Sequence, residues 1–157
     1  MKVMLVVFFD WQGAIHSEFI PRVQTVNKEF YVAVLKHLRE AVCRKRPQLW
    51  TNQSWVLHHN NAPAHSSFLV RNFLAKSEMT MVPQPPYSPD LSPAEFFLFS
   101  KLKSILKGCR FDTLDEIQKN STKELFAILK EAFQSWQKRW EQCVASEGNY
   151  FEGDKLE

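Results

Sequence analysis

The sequence lacks a long apolar run, a paired-cysteine motif and a large net charge. Its N-terminal apolar run, Val3 to Phe9, has seven residues, which are too few to span a bilayer, and no small-residue cleavage site follows them. The three cysteines are widely spaced, and no Cys-x-x-Cys pair indicates zinc or redox chemistry. We therefore expect reduced thiols in a nuclear or cytoplasmic protein that is neither secreted nor inserted in a membrane.

The apolar content is sufficient for one folded domain. Hydrophobic residues make up 45% of the 157 residues, with 13 Phe and 5 Trp, and this amount can form one core. The formal net charge of +3 suits a nucleic-acid partner but is also common among proteins that bind none. No repeat, low-complexity tract or linker divides the chain, so we expect a single domain.

Hydrophobic periodicity predicts strands first, with helices inserted and appended. Residues Asp10 to Gly13 have turn chemistry, which predicts a β-hairpin with a turn role for Asp10. Pro47 is expected to end the first helix, with a loop after it to Gln53. The predicted strands are Val3–Phe9, Ala14–Ile20, Ser54–His59 and Met79–Val82, and the predicted helices are Thr25–Lys45, Ala64–Lys76, Ala94–Leu106 and Thr113–Ala145. In the second helix we expect the inward face to carry Phe68, Leu69, Phe73 and Leu74. The result is a mixed α/β arrangement.

Two polar motifs lie at the centre of the chain. The first, His58-His59-Asn60-Asn61-Ala62-Pro63-Ala64-His65, follows an apolar strand and contains a proline that can open a helix. The second, Tyr87-Ser88-Pro89-Asp90-Leu91-Ser92-Pro93-Ala94-Glu95, is rich in prolines that prevent regular structure until a helix begins near Pro93. Thirty-four residues separate Asn60 from Glu95.

Both motifs resemble those of the mariner branch of DNA-transposon transposases. In that family the second and third catalytic carboxylates lie in His-Asp-Asn-Ala-Pro-x-His and Tyr-Ser-Pro-Asp-Leu-x-Pro-x-Asp/Glu at this spacing. Glu95 matches the third carboxylate, whereas Asn60 places an amide where the family has its second. The resemblance covers nearly the whole chain and extends to the segment from Trp140 to Glu152.

The resemblance implies a ribonuclease H-like transposase catalytic fold with a helical C-terminal part. It also implies that the first strand of that fold, with the first catalytic aspartate, and the N-terminal helix-turn-helix modules would precede Met1. We therefore expect residues 1–157 to be a truncated catalytic domain whose sheet is open at its centre. Unpaired edge groups cost about 1–3 kcal/mol each when buried, so the N-terminal hairpin is expected to be less stable than the last helices.

The family resemblance also implies a metal cofactor, Mg²⁺ or Mn²⁺, which such folds use in pairs for phosphodiester cleavage. Glu95 and Asn60 are the candidate catalytic and metal-ligating residues, and Asn60 is the degenerate one. Because magnesium prefers anionic oxygens, we expect weak or no metal binding here. Asp90 is expected to fix the loop that orients Glu95. The alternative role for Asp90, and for the turn residue Asp10, is that of a substitute metal ligand. Structural roles are expected for His58, His59 and His65, since adjacent strand residues point to opposite faces and cannot easily share a zinc ion.

Two basic clusters lie near helix ends. The residues that could contact phosphate are Arg44, Lys45, Arg46, Lys101, Lys103 and Lys107. Their alternative role is that of an ordinary solvated surface. Because the helix-turn-helix modules of the family have no counterpart here, any DNA binding is expected to be weak and independent of sequence.

These observations leave several functions open. The first is a degenerate transposase domain, derived from a metal-dependent endonuclease, without competent chemistry but with residual non-specific DNA binding. The second is a non-enzymatic interaction module that forms a homodimer, as mariner-like transposases do. A translated remnant without selected function and a still active nuclease are further alternatives.

Overall fold

The computed structural model describes residues 4–22 and 24–149, which belong to two compact units. The N-terminal unit comprises Met1–Phe9 and Ala14–Pro86, and the C-terminal unit comprises Asp10–Gly13 and Tyr87–Glu157. The expected single domain is therefore built from two parts, each with its own buried residues. Val3 and the expected C-terminal residues Tyr150 to Glu152 lie outside the described residues.

The strands form two separate two-stranded sheets within the described residues. Strands β1 (Met4–Asp10) and β2 (Gly13–Ile20) form the predicted hairpin. The carboxylate of Asp10 accepts the backbone N–H groups of Gln12 and Gly13 at 2.9 and 3.1 Å, which confirms its role in the turn. Strands β3 (Val56–His58) and β4 (Thr80–Val82) run parallel.

The N-terminal unit packs its strands with three helices: α1 (Lys28–Lys45), α2 (Pro47–Asn52) and α3 (Phe68–Lys76). The side chain of Asn27 caps α1 by accepting the N–H of Phe30 at 2.8 Å, which satisfies one of the free donors of the first turn. The core contains Ile15, Tyr31, Leu35, Leu38, Ala41, Val42, Leu57, Val70, Leu74 and Met79. Strand β3, which leads into the first motif, is thus held in the same core as α1 and α3.

Three predictions for this unit are wrong in whole or in part. Pro47 does end α1, but it also opens α2 instead of a loop, because proline is well suited to the first position of a helix. Helix α3 begins at Phe68, later than predicted, because Ser67 caps it by accepting the N–H of Val70. The predicted inward face is wrong for Phe68 and Leu69, which are 77% and 38% exposed. Val70 and Leu74 are buried and Phe73 packs against the core, because residues three and four apart share one face of a helix.

Apart from Asp10–Gly13, the C-terminal unit consists of a proline-rich loop and helices. A 3₁₀ turn (Pro89–Leu91) and a π-helical turn (Ala94–Leu98) precede α4 (Phe99–Leu106), and α5 (Leu114–Ala145) completes the unit. The predicted cap of α5 is confirmed, since Thr113 accepts the N–H of Glu116 at 3.3 Å. Buried residues of this unit include Leu91, Leu98, Leu102, Leu125, Ile128, Leu129 and Ala132. No helix in the described ranges is long and apolar enough to cross a membrane.

Candidate catalytic site

Asn60 lies in the polar loop after β3. Its side chain is exposed, and its Oδ1 accepts the N–H of Ala62 at 3.2 Å, the hydrogen bond of an Asx turn. The backbone carbonyl of the same residue lies 3.4 Å from Nδ1 of His65. The amide oxygen that stands at the family's second carboxylate position therefore already has a local partner.

A buried tyrosine organises the two histidines of this loop. Tyr31 in α1 is 2% exposed, and its hydroxyl lies 2.8 Å from Nδ1 of His59. Its ring stacks on His65 with the centroids 3.9 Å apart, and the two imidazoles stack at 5.1 Å. Burial, with help from His65 and His58, lowers the pKa of His59 to about 4. Burial also raises the pKa of Tyr31, so at neutral pH the tyrosine hydroxyl donates to a neutral His59.

One buried glutamine after β4 holds two further polar side chains, those of His58 and Asn61. Gln84 is 8% exposed, and its Oε1 accepts Nε2–H of His58 at 2.7 Å. Its backbone carbonyl accepts the Nδ2 amide of Asn61 at 2.8 Å. His58 and His59 thus have different partners, as expected from their opposite directions on the strand.

Glu95 lies in the π-helical turn of the C-terminal unit. Its side chain is exposed, and its carboxylate forms no ion pair or hydrogen bond with any residue that the structure describes. The backbone N–H of Glu95 donates to the carbonyl of Ser92 at 3.0 Å, and its carbonyl accepts the hydroxyl of Ser100 at 3.2 Å. Single π-helical turns are often found at functional sites. The backbone here is held while the carboxylate stays available to solvent.

Helix α5 fixes the proline-rich loop that precedes Glu95. The indole N–H of Trp136 donates to the carbonyl of Leu91 at 2.8 Å, and the guanidinium of Arg139 donates to the carbonyl of Asp90 at 3.4 Å. The same guanidinium lies over the ring of Phe96, 4.2 Å from its centroid. Asp90 was expected to fix this loop, and it contributes through its backbone carbonyl.

The structure places the two catalytic candidates in different units, Asn60 in the N-terminal unit and Glu95 in the C-terminal unit. Together they offer one anionic oxygen and one amide oxygen that is engaged in a turn. A pair of Mg²⁺ or Mn²⁺ ions needs several clustered carboxylates. One carboxylate and one amide are fewer anionic ligands than such a pair of ions requires.

The basic candidates also fall in both units. Arg44 and Lys45 are exposed in the last turn of α1, and Arg46 donates to the carbonyl of Lys45 at 3.1 Å. Lys103 and Lys107 are exposed in and after α4. Lys101 is less available, since its ammonium pairs with Glu131 at 3.6 Å and lies 5.3 Å from the ring of Phe97.

Sequence reasoning did not identify Tyr31 or Gln84 as parts of this site. Tyr31 follows helical spacing and has the pattern of an ordinary core residue, while Gln84 lies among prolines. Their partners are 28 and 26 residues away along the chain. Only the packing of α1 against β3 and the parallel pairing of β3 with β4 bring these groups together.

The fold is similar to that of a solved transposase catalytic domain. The Mos1 transposase catalytic domain with raltegravir and Mg superimposes with a TM-score of 0.84 at 34% identity, covering 95% of this chain and 77% of that one. A Mos1 paired-end complex with the left transposon end gives a TM-score of 0.84 at 34% identity, covering 95% of this chain and 44% of that one. The fold and the two motif loops define a ribonuclease H-like catalytic domain of a DNA transposase.

Sequence relatives identify the family. The family described as transposase (partial DDE domain) matches residues 1–52. The Mariner Mos1 transposase of Drosophila mauritiana is 37% identical over 96% of this chain and 45% of its own length. The histone-lysine N-methyltransferase SETMAR of Homo sapiens is 27% identical over 96% of this chain and 23% of its own length. The chain belongs to the mariner transposase family, and it spans less than half the length of these two curated relatives.

Proposed function

We propose that the chain is a degenerate mariner transposase catalytic domain that does not cleave DNA. The observation that carries this proposal is Asn60, an amide at the position of a catalytic carboxylate, with its Oδ1 engaged by the N–H of Ala62. An amide carries no charge with which to hold a divalent cation. Loss of one such electrostatic contact costs about 3–4 kcal/mol, which is roughly a 10²- to 10³-fold loss in rate.

A plasmid-nicking assay tests this proposal. Supercoiled plasmid is incubated with the 157-residue chain and Mg²⁺ or Mn²⁺, in parallel with Glu95→Ala as the control for a contaminating nuclease. We expect wild type and Glu95→Ala to give the same background. Metal-dependent nicking that is present in wild type and lost in Glu95→Ala would refute the proposal.

We further propose weak, sequence-independent DNA binding through the two basic clusters. Phosphate contacts by Lys and Arg need no base readout, and they give dissociation constants of about 10⁻⁴ to 10⁻⁶ M at physiological salt. The exposed side chains of Arg44, Lys45, Lys103 and Lys107 support this proposal, whereas Lys101 is already paired with Glu131.

Fluorescence anisotropy with duplexes of unrelated sequence measures this binding. We expect the affinity to fall steeply with salt, and each of Lys103→Ala and Lys107→Ala to reduce the salt slope by about one. Lys119→Ala, at an exposed lysine of α5 outside both clusters, is the matched control and should leave the slope unchanged. A flat salt response, or a strong preference for one sequence, would contradict this proposal.

One observation favours the alternative function as a homodimerisation module. An open cleft of about 410 Å³ in the C-terminal unit is lined by Trp11, Phe133, Gln134, Trp136, Gln137 and Trp140. Exposed aromatic surface of this kind is enriched at protein interfaces. Sedimentation measurements distinguish the two functions, because an apolar dimer keeps its affinity in high salt whereas DNA binding loses it.

A further inference from the structure

Three metal-ligand side chains meet in the N-terminal unit, and none of them is a catalytic or basic candidate. Glu18 in β2 accepts Nε2–H of His16 at 2.6 Å and also accepts Nδ1–H of His37 in α1. The two imidazole rings meet edge to face with their centroids 5.9 Å apart. One nitrogen from each histidine and one carboxylate oxygen lie within 4.8 Å of one another.

The arrangement follows from the local structure of the chain. His16 and Glu18 are two residues apart in a strand, so their side chains leave the same face. His37 lies in α1, and its hydrogen bond to Glu18 shows that this part of the helix lies against the same face of β2. The three donors are therefore held by two rigid elements and not by a loop.

We propose that His16, Glu18 and His37 form a binding site for a divalent transition metal, with zinc as the expected occupant. Two imidazole nitrogens and one carboxylate oxygen are a known three-ligand set for zinc, in which water takes the fourth tetrahedral position. Imidazole ligands favour zinc and its neighbours in the first transition row over Mg²⁺, which prefers oxygen ligands. None of its three ligands is a catalytic candidate.

The geometry needs only a small adjustment to accept the ion. Ligand bonds of about 2.0–2.2 Å in a tetrahedron place donor atoms about 3.3 Å apart, compared with the present 2.6 Å between His16 Nε2 and Glu18 Oε1. Side-chain rotation supplies this change, and the 53% exposure of the His37 side chain gives the ion a path from solvent. A bound ion would link β2 to α1, so zinc should stabilise the N-terminal unit.

Metal content and cobalt spectroscopy test the proposal on the untagged 157-residue chain. After removal of metal and equilibration with micromolar zinc, we expect one bound zinc per chain and a rise in Tm. Cobalt(II) should give the visible bands of a tetrahedral site without an intense thiolate charge-transfer band, which distinguishes this site from binding at the free cysteines. The isosteric variant Glu18→Gln, and His37→Ala, should weaken zinc binding by at least about tenfold.

Matched variants separate metal binding from folding. Lys36→Ala and Glu40→Gln change exposed residues of α1 next to the site, and Cys43→Ser removes the exposed thiol of the same helix; all three should bind zinc as wild type does. Zinc should raise Tm in these controls but not in Glu18→Gln. The proposal is overturned if wild type binds no zinc, if Glu18→Gln and His37→Ala bind it with unchanged affinity, or if the cobalt complex has thiolate bands. Under any of these results the cluster is only a hydrogen-bonded link between β2 and α1.

Discussion

The indole of Trp136 is predicted to hold the loop that leads to Glu95. The substitution Trp136→Phe keeps an aromatic ring in α5 but removes the N–H that donates to the carbonyl of Leu91 at 2.8 Å. Leu91 is 4% exposed, so its carbonyl cannot readily be satisfied by solvent. The edge-to-face contact with Phe133, at a centroid distance of 5.6 Å, can be kept in large part by the smaller ring.

The cost of this substitution follows from these contacts. A buried carbonyl left without its donor costs about 1–3 kcal/mol, and the loss of the five-membered ring removes a smaller amount of apolar contact. We therefore expect about 2 kcal/mol of local destabilisation. At 1.36 kcal/mol per decade, this corresponds to roughly a 30-fold increase in the population of the open loop.

Native-state hydrogen exchange measures this population directly. The amides to follow are those of Glu95 and Phe96, which both donate to the carbonyl of Ser92 at 3.0 Å, and that of Ser92, which donates to Pro89 at 3.1 Å. Their exchange should be about 30-fold faster in Trp136→Phe. Amides near the start of α1, in the N-terminal unit, should exchange at the wild-type rate.

Trp140→Phe is the matched control, since Trp140 lies one turn further along α5 and its indole forms no hydrogen bond with the residues described. We expect its effect on the same amides to be about threefold or less. Equal acceleration by the two substitutions would mean that aromatic bulk, and not the hydrogen bond, holds the loop. Unchanged exchange in Trp136→Phe would refute the role of the Trp136 hydrogen bond in holding the loop.

Three further predictions concern the N-terminal unit. The free energy of unfolding, measured with urea, should fall by about 1 kcal/mol from pH 7 to pH 5. Burial lowers the pKa of His59 to about 4 and also lowers that of His58 and His65, so the unfolded chain binds protons that the folded chain does not. His59→Gln should reduce the dependence of the unfolding free energy on pH. If this dependence is the same in His59→Gln as in wild type, His59 is not its source. Asn27→Ala should cost about 1 kcal/mol in the same assay by removing the cap of α1, whereas the exposed Gln24→Ala should have little effect. Asn60→Asp should raise the pKa of His65 in an NMR titration, because the backbone carbonyl of residue 60 lies 3.4 Å from Nδ1 of His65 and the new carboxylate places a negative charge near that ring. An unchanged pKa of His65 would mean that the two side chains are not coupled.

The family and the long helices were predictable because their determinants are local in sequence. The caps Asn27 and Thr113 mark the starts of α1 and α5, and a cap acts within three residues of itself. Asp10 likewise fixes its own turn. The motif around Asn60 and the motif that ends at Glu95 are contiguous stretches, so they indicated a mariner transposase and its substituted carboxylate position without knowledge of the fold.

Other features depended on tertiary packing. Tyr31 meets His59 across 28 residues, and His37 meets Glu18 across 19. Such pairs form only when α1 packs against β2 and β3, because no periodicity within a strand or a helix specifies which residue of another element will lie opposite. The sequence by itself therefore determined the class of protein and the residue at each motif position, whereas the tertiary structure decided which side chains share a site.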